Sequence, residues 1–535
     1  MPKITINGTE LDVDDGLNVI QAAAVAGIEI PHFCYHPSLS VVAQCRQCLV
    51  EVEGVPKVLP ACNTTVRDGL VVKTDTEKAL EARKAAVEFT LINHPLDCPI
   101  CDKGGECPLQ MTTFAHGPGY SRVGGPENKK VRQKSYLSDR IMYDPNRCIM
   151  CTRCVRFTDE VTRTHELGTT GRGFRKKISV FPGKKLDNEL AGNVIDICPV
   201  GALLTKNTLH EERVWYMEFT DSVCSLCSTG CNITVGVDPR KGKVSRIRPR
   251  INQEVNGHWI CDKGRYDYKE IQESSRLRDP IIKNHKDYEI ASWEDAVNNV
   301  GSKLSRTISS AAGPYAIAAS ATLTNEEMFL ASKLSSLLGD CPVICGAGAE
   351  KTEKKFGLVS SDPYPNSTGS RNLMTHGNGY GTKTIIDLLL ADKIKTLIVI
   401  ETDLFKVVSD HEKQLLSNAL EKISFLVIID YTLTETARYA HAILPSASPY
   451  EKDGTFTNDA GRVQKIKKAI APPGTAKPGW EVLCMIGEKI DKSLFSYNCA
   501  SEVMDDISLK FPRYGEMSYD KIGAVGKVIE NGMAK

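Results

Sequence analysis

Long apolar runs are missing from this sequence: the longest, such as Phe425 to Ile429, are strand-length, well short of the roughly 18 residues of a membrane-spanning helix. Net charge is missing too. With 67 basic against 66 acidic residues, no surface field draws the chain to nucleic acid or anionic lipid, so its expected partners are proteins. Low-complexity tracts and internal repeats are absent, and 41% hydrophobic with 25% charged residues excludes disordered and collagen-like classes. No leader is evident either. Residues 1–13, MPKITINGTELDV, already read as a hairpin, with Ile4 and Ile6 alternating, Asn7-Gly8 as a type I′ turn, and Leu11 and Val13 alternating again. That leaves no room for a signal or transit peptide, so a cytoplasmic location is expected, where cysteines serve as thiolates more than as disulphides.

Cysteine is scarce in the back half and dense in the front. Fifteen of the 19 lie between Cys34 and Cys261, and only Cys341, Cys345, Cys484 and Cys499 follow. A metal region therefore precedes a region without one. At 535 residues several cores are required, and five segments are expected: 1–78, 79–135, 136–216, 217–273 and 274–535. The first has a strand pair, a short helix from Asn18 to Ala26 stopped by Gly27, cysteine loops, and short strands at Leu49 to Val52 and Gly69 to Lys73. That is a ferredoxin-like layout. A helix follows over Glu77 to Phe89, and then a loop-rich stretch to about residue 125 that needs a staple to fold. Beyond about residue 310, strands at Tyr315 to Ala319, Val343 to Cys345, Leu397 to Ile400 and Phe425 to Ile429 alternate with helical sequence. One helix opens at Thr324 with Glu327 in capping-box position, and others fall near Thr384 to Leu390 and His411 to Lys422. This predicts a doubly wound parallel α/β domain, making the chain multidomain α+β and α/β.

Four cysteine constellations carry chemistry. Cys34, Cys45, Cys48 and Cys62 supply four loop thiolates beside the ferredoxin-like hairpin, as a [2Fe–2S] cluster needs, and a four-cysteine zinc site stays open. His94, Cys98, Cys101 and Cys107 offer one imidazole and three thiolates, a set that suits zinc or iron by spacing alone. Cys148, Cys151 and Cys154, closed by Cys198-Pro199, follow the bacterial ferredoxin arrangement for a [4Fe–4S] cubane. Cys224, Cys227, Cys231 and the remote Cys261 again suit a cubane, with a zinc ribbon as the alternative.

Read together, HFCYH, CRQCLVEVE, HPLDCPICDKGGECPLQ, YDPNRCIMCTRCVRF and GNVIDICPVGAL closely resemble the large iron–sulphur subunits, of the 75 kDa type, of NADH:quinone oxidoreductase, respiratory complex I. The resemblance spans residues 1 to about 273 and implies one [2Fe–2S] cluster on the first set and [4Fe–4S] clusters on the other three. The second and third sets would lie on the route from flavin toward quinone. The fourth resembles an off-path cluster kept by some bacterial members. Implied partners are a flavoprotein subunit that takes electrons from NADH through FMN and the other peripheral-arm subunits. The implied position is peripheral, on the cytoplasmic face of the cell membrane, with ion translocation left to other subunits.

From about residue 217 the chain also resembles molybdopterin oxidoreductases, in RLRDPIIK, SWEDAV, TNEEMFLASKL, TETARYAHAILPSASPYEKDGTFTN and AGRVQ. Those enzymes place a Cys or selenocysteine on the metal. Here the equivalent position falls in CPVICGAGAEKTEKK near Ala349, a small residue, so no molybdopterin is expected. Neither FMN nor NAD is expected, because the stretch Gly377 to Gly381 lacks the G-x-G-x-x-G order. Cys341 and Cys345 read as a buried strand end, and Cys484 and Cys499 as core residues of helices. Two other readings remain at this point: the matching subunit of a soluble NAD-linked formate dehydrogenase or hydrogenase, and a zinc-stapled scaffold without redox work.

Overall fold

A computed structural model describes residues 1–123, 129, 131–272, 275–284, 287–309, 315–346, 353–374 and 382–530. Two compact units are present, Met1–Met217 and Glu218–Lys535. Ala349 and the glycine stretch 377–381 lie outside the described residues.

The first unit starts with the expected hairpin, Lys3–Ile6 against Thr9–Asp12. Asn7 and Gly8 both have positive φ (48° and 84°), the pair of left-handed residues a type I′ turn demands. Lys3–Ile6 also pairs in parallel with Val71–Lys73, and the sheet continues through Leu49–Val52 to Leu59–Pro60. Helix Val19–Val25 is opened by a capping box of Asn18 and Gln21. It packs Val19, Ile20, Ala22 and Ala23 on the same core as Ile4, Ile6, Val50, Val72 and two of the cysteines, Cys48 and Cys62. The apolar alternation of the strands thus sets the register of the cysteine loops above them.

Helix Glu77–Ile92 runs three residues past the expected end and delivers Asn93-His94 at its C-terminus. The following stretch holds a helix that the loop-rich reading does not anticipate, Pro108–His116. Pro108 is at its first position, where the absent N–H costs nothing. A three-stranded sheet, Ser135–Tyr136, Ile141–Tyr143 and Leu203–Thr205, brackets the third cysteine set, and a separate hairpin joins Leu167–Thr170 to Lys177–Val180.

In the second unit an antiparallel sheet, Glu218–Val223, Asn232–Asp238 and Lys243–Pro249, precedes the α/β domain. There, Val343–Gly346, Tyr315–Ser320, Thr396–Ile400, Phe425–Asp430 and Ala442–Pro445 lie side by side in parallel. An antiparallel hairpin, Ile281–Asn284 with Asp287–Ile290, extends this sheet to seven strands. Ile317, Ala319, Ile398 and Ile400 face one core, with helices Trp293–Ser309, Asn325–Leu337, Gly479–Glu488 and Ala500–Lys510. Ala316, Ala318, Leu397 and Val399 face the other, with helices Thr382–Leu390 and Asp410–Lys422. Near-continuous apolar strands covered on both faces are what a doubly wound sheet requires. No helix among the described residues is long and apolar enough to cross a membrane.

Helix Asn325–Leu337 is capped as the sequence predicts, Thr324 with Glu327, but its first turn also enters a buried polar network. Lys452 reaches Glu327 at 2.7 Å and Glu401 at 3.0 Å, all three fully buried. Glu326 accepts from the Thr455 N–H and hydroxyl, both at 2.9 Å, and from the Tyr519 hydroxyl at 3.0 Å. Burial pushes its carboxyl up to about 7 in spite of those donors.

A carboxyl whose folded value lies above its unfolded value holds its proton more tightly in the fold, so its contribution is complete below about 4.5 and is lost as pH rises through about 7. The difference corresponds to about 3 kcal/mol. Amide exchange across Asn325–Leu337, corrected for intrinsic rates, should therefore be more protected at pH 5 than at pH 8, and Glu326→Gln should flatten that dependence. An unchanged slope in Glu326→Gln would show that Glu326 is not the group responsible.

Candidate metal centres

The third set is the one the fold gathers most plainly. Cys148, Cys151, Cys154 and Cys198 line one cavity, together with Tyr143, Arg153, Ile178 and Val200. The loop that carries the first three turns through left-handed backbone at Met150 (φ 56°) and Thr152 (φ 58°). For a β-branched threonine this is a strained state, kept only where the surroundings over-determine it. Met150 donates its N–H to Cys148 Sγ at 3.4 Å. Burial pushes the Cys151 thiol up to about 12, with Cys198 adding to the effect, and raises Cys154 well above an ordinary thiol. Uncharged thiols in such a place give up their protons only to a metal or cluster.

The first set forms two thiol pairs. Phe33 and Cys34 both donate their N–H to Cys45 Sγ at 3.4 Å. A hydrogen bond between the side chains of Cys34 and Cys45 pulls Cys34 down to about 5 and raises Cys45; a similar bond lowers Cys62 and raises Cys48. Ala43 (φ 49°) and Arg46 (φ 55°) are left-handed in this loop, as in the third set.

The second set is gathered less completely. Cys101 and Cys107 are buried, whereas Cys98 is exposed. His94 lines a different cavity, with Cys45 and Cys148. Burial raises both Cys101 and Cys107. In the fourth set all four thiols are buried. Cys224 and Cys231 face each other across the ends of Glu218–Val223 and Asn232–Asp238, joined by Cys224 N–H to Cys231 carbonyl at 2.8 Å. Cys261 caps helix Asp262–Tyr266, taking the Gly264 N–H on its sulphur at 3.3 Å. Burial raises Cys224 and Cys231 well above an ordinary thiol, Cys227 and Cys224 being the first neighbours to add to it, and pushes Cys261 up to about 11. Among the described residues, no group of three or more His, Cys, Asp or Glu is closed around a point that could hold a single metal ion. The feature that fits a cluster is instead a cavity walled by thiols.

Short segments tie these sites together. Cys198 lines the third cavity, the Pro199 carbonyl lies 3.5 Å from Cys107 Sγ, and a Cβ added to Gly201 would sit 2.2 Å from Cys101 Sγ. Cys198 to Gly201 is thus the partition between the second and third sets. Arg147, 2% exposed, bonds Asp97 at 3.0 Å beside Cys98 and approaches Asp144 at 3.5 Å. The remaining cysteines line neither of these two cavities. Cys341 and Cys484 are buried and Cys345 is half-buried, but Cys499 is exposed just before helix Ala500–Lys510, with its sulphur 3.0 Å from the Ser501 hydroxyl. It is not the core residue its helical surroundings suggest, because it precedes the first turn.

Five family models match the chain: a 2Fe-2S iron-sulfur cluster binding domain over residues 2–77, the NADH-ubiquinone oxidoreductase-G iron-sulfur binding region over 83–122, and the ferredoxin-like domain of NADH-quinone oxidoreductase subunit 3 over 138–204. A molybdopterin oxidoreductase Fe4S4 domain matches 217–273, and molybdopterin oxidoreductase matches 276–355 and 363–489. A NADH-quinone oxidoreductase subunit of Rickettsia bellii is 41% identical over 304 residues, 57% of this chain and 44% of that protein. The mitochondrial NADH-ubiquinone oxidoreductase 78 kDa subunit of Candida albicans is 29% identical over 602 residues, 92% of this chain and 83% of that protein. The chain spans about half the length of the Rickettsia relatives it matches. A crystal structure titled as an NAD+-reducing [NiFe]-hydrogenase in the H2-reduced state shares 30% identity, covering 40% of this chain and 91% of that chain with a TM-score of 0.36. So weak a superposition decides nothing.

Because Gly201 leaves no room for a Cβ against Cys101, Gly201→Ala should displace that thiol and lower the metal content by one site's worth, whichever metal is bound. Metal analysis per chain against wild type reads this. Full metal content in the alanine variant would mean that Cys101 holds none.

Proposed function

From its kinship with the large iron–sulphur subunits of NADH-quinone oxidoreductase, we propose that this chain relays electrons within such a complex, from NADH oxidised at FMN in a partner subunit toward quinone. The observation that carries the reading is the cavity walled by Cys148, Cys151, Cys154 and Cys198, with Arg153 beside them. Ligand assignments follow the four sets. Cys34, Cys45, Cys48 and Cys62 hold a [2Fe–2S] cluster; His94 with Cys98, Cys101 and Cys107, Cys148 with Cys151, Cys154 and Cys198, and Cys224 with Cys227, Cys231 and Cys261 each hold a [4Fe–4S] cluster. Bound clusters supply one-electron carriers whose potentials follow from ligand type, hydrogen bonds to sulphur and burial.

The chain's own groups do the rest. Backbone N–H groups of Phe33, Cys34, Met150 and Gly264 point at cysteine sulphur, which stabilises negative charge there. Apolar walls from Ile178, Val200 and Leu203 keep water away. The short segment Cys198 to Gly201, which touches Cys101 and Cys107 of the second set and lines the cavity of the third, supports neighbouring sites of the kind a relay needs. The five segments bounded at 78, 135, 216 and 273 correspond in this reading to one domain per cluster and a scaffold. Residues 274–535 hold no pterin metal, and their covered sheet serves as that packed body. The complex sits at the cytoplasmic face of the cell membrane through other subunits.

Substituting Cys154 by Ala should remove one cubane, leaving about 10 of about 14 iron atoms per chain, and stop NADH-dependent quinone reduction by the purified complex. If reduction survives while the iron is gone, the third site is off the route.

At the second site His94 replaces an anionic thiolate by a neutral imidazole, which makes adding an electron easier, as histidine ligation does in Rieske centres. His94→Cys should keep a cubane and lower its potential, and His94→Ala should lose it or leave it labile. Nitrogen hyperfine coupling in pulsed EPR, with ¹⁵N-labelled histidine, checks the ligand. No change on labelling, with full iron in His94→Ala, would return His94 to the role of a cavity-lining loop residue.

A further inference from the structure

Two arginines from the helix that begins after Thr152 reach out of the third cysteine loop into the first. Arg156, buried, donates to the Cys34 carbonyl at 2.6 Å, to the Cys151 carbonyl at 3.3 Å and to the Ser40 carbonyl. Arg153 donates to the Ile197 carbonyl at 3.1 Å and to the Tyr35 carbonyl. Each guanidinium therefore holds one residue at or next to a cysteine of the first set and one at or next to a cysteine of the third. The sequence separations of the long contacts are 118 and 122 residues, so these side chains join loops that are distant in the chain, with lesser help from Ser40 on Glu160 and Gln44 on Met150. Five planar donors in a fixed fork suit such bridging, which a lysine would not reproduce.

The charge lies between the same two sites. Arg153 lines the cavity of the third set, and its surroundings include the thiols of Cys151, Cys198, Cys45 and Cys34, two from each set. Burial tends to lower the Arg153 guanidinium, and those four sulphurs act the other way. The Nε–H groups of Arg153 and Arg156 are both buried without an acceptor. A buried cation left short of acceptors is costly unless negative charge stands beside it. Bound clusters at the two sites would supply it from both sides.

We propose that Arg153 and Arg156 are a shared cationic bridge that raises the reduction potentials of the first and third sites together. A fixed positive charge favours the more negative, reduced state of each neighbour, and one located between two sites acts on both. Arg153 is thus a positioning and tuning residue that binds no iron. This inference rests on the cluster reading of both sets.

The test is a potentiometric EPR titration of the assembled complex with metal analysis alongside. In Arg153→Gln the iron content is retained, and at a fixed solution potential the reduced-to-oxidised ratio of both sites falls, by about tenfold if the potentials move by about 59 mV for one electron. Arg153→Lys, which keeps the charge and loses the fork, restores both potentials toward wild type. A shift at one site alone, or none at either, overturns the proposal. So does an Arg153→Lys shift as large as that of the glutamine variant, since geometry and not charge would then be responsible. If Arg153→Gln sheds iron, the lysine variant decides by the same criterion. Wild-type complex without EPR-active iron at these two sets would instead defeat the cluster reading itself.

Discussion

Sulphur is the constraint around which the first unit is built. Its three cysteine sets bring thiols into buried places where burial, with neighbouring sulphurs adding to it, raises Cys101, Cys107, Cys151 and Cys154 above the ordinary range. As thiolates they would be tolerable only with counter-charge and donors at hand. The fold supplies both. Main-chain N–H groups reach Cys45, Cys148 and, in the second unit, Cys261. Arg147, Arg153 and Arg156 bring guanidinium groups into the partitions between sites, where they also bond the loops together. Without anionic sulphur beside it the buried Arg156 would be an uncompensated cation, whereas Arg147 keeps Asp97 and Asp144. Metal binding, charge balance and loop packing are therefore one problem with one solution.

The second unit solves a different problem by ordinary means. Its parallel sheet is covered on both faces by helices, and it buries paired charges in the Lys452, Glu327 and Glu401 group and in the Arg276 to Glu451 pair at 2.6 Å. Breaking one partner of such a group costs more than the group contributes as a whole, and Glu401 brings it to the end of the interior strand Thr396–Ile400. The fourth cysteine set stands outside that sheet, three of its members between strands Glu218–Val223 and Asn232–Asp238 and Cys261 at the start of helix Asp262–Tyr266.

Much of this is legible in the sequence, because the signals are local. The Asn7-Gly8 turn, the Thr324 to Glu327 capping box and the β-branched runs from Phe425 and Leu397 each depend on residues within a few positions, and each appears in place, the two runs longer by one residue at one end. Helix Pro108–His116 escapes a sequence reading although proline at a first helical position is a usable signal, since the cysteines and glycines before it dominate the window. The antiparallel hairpin on the edge of the parallel sheet escapes it because its pairing partner, Ala442–Pro445, lies about 160 residues away. Cysteine spacing identifies candidate ligands and cannot show which share a cavity. Nor can it show Gly201 against Cys101, or the arginine bridge, because these contacts join residues about 100 positions apart. His94 is where spacing and structure differ most, since the histidine lines a cavity with Cys45 and Cys148.

What the sixteen candidate ligands bind decides between a relay and a scaffold, and ⁵⁷Fe Mössbauer spectroscopy of the chain in its oxidised form, with zinc measured on the same sample, reads that most directly. Four clusters require about 14 iron atoms per chain, about one seventh of them in [2Fe–2S] and the rest in [4Fe–4S] environments, and no stoichiometric zinc. Iron-free protein carrying about one zinc per cysteine set would contradict the relay, and would make the chain a stapled scaffold without redox work.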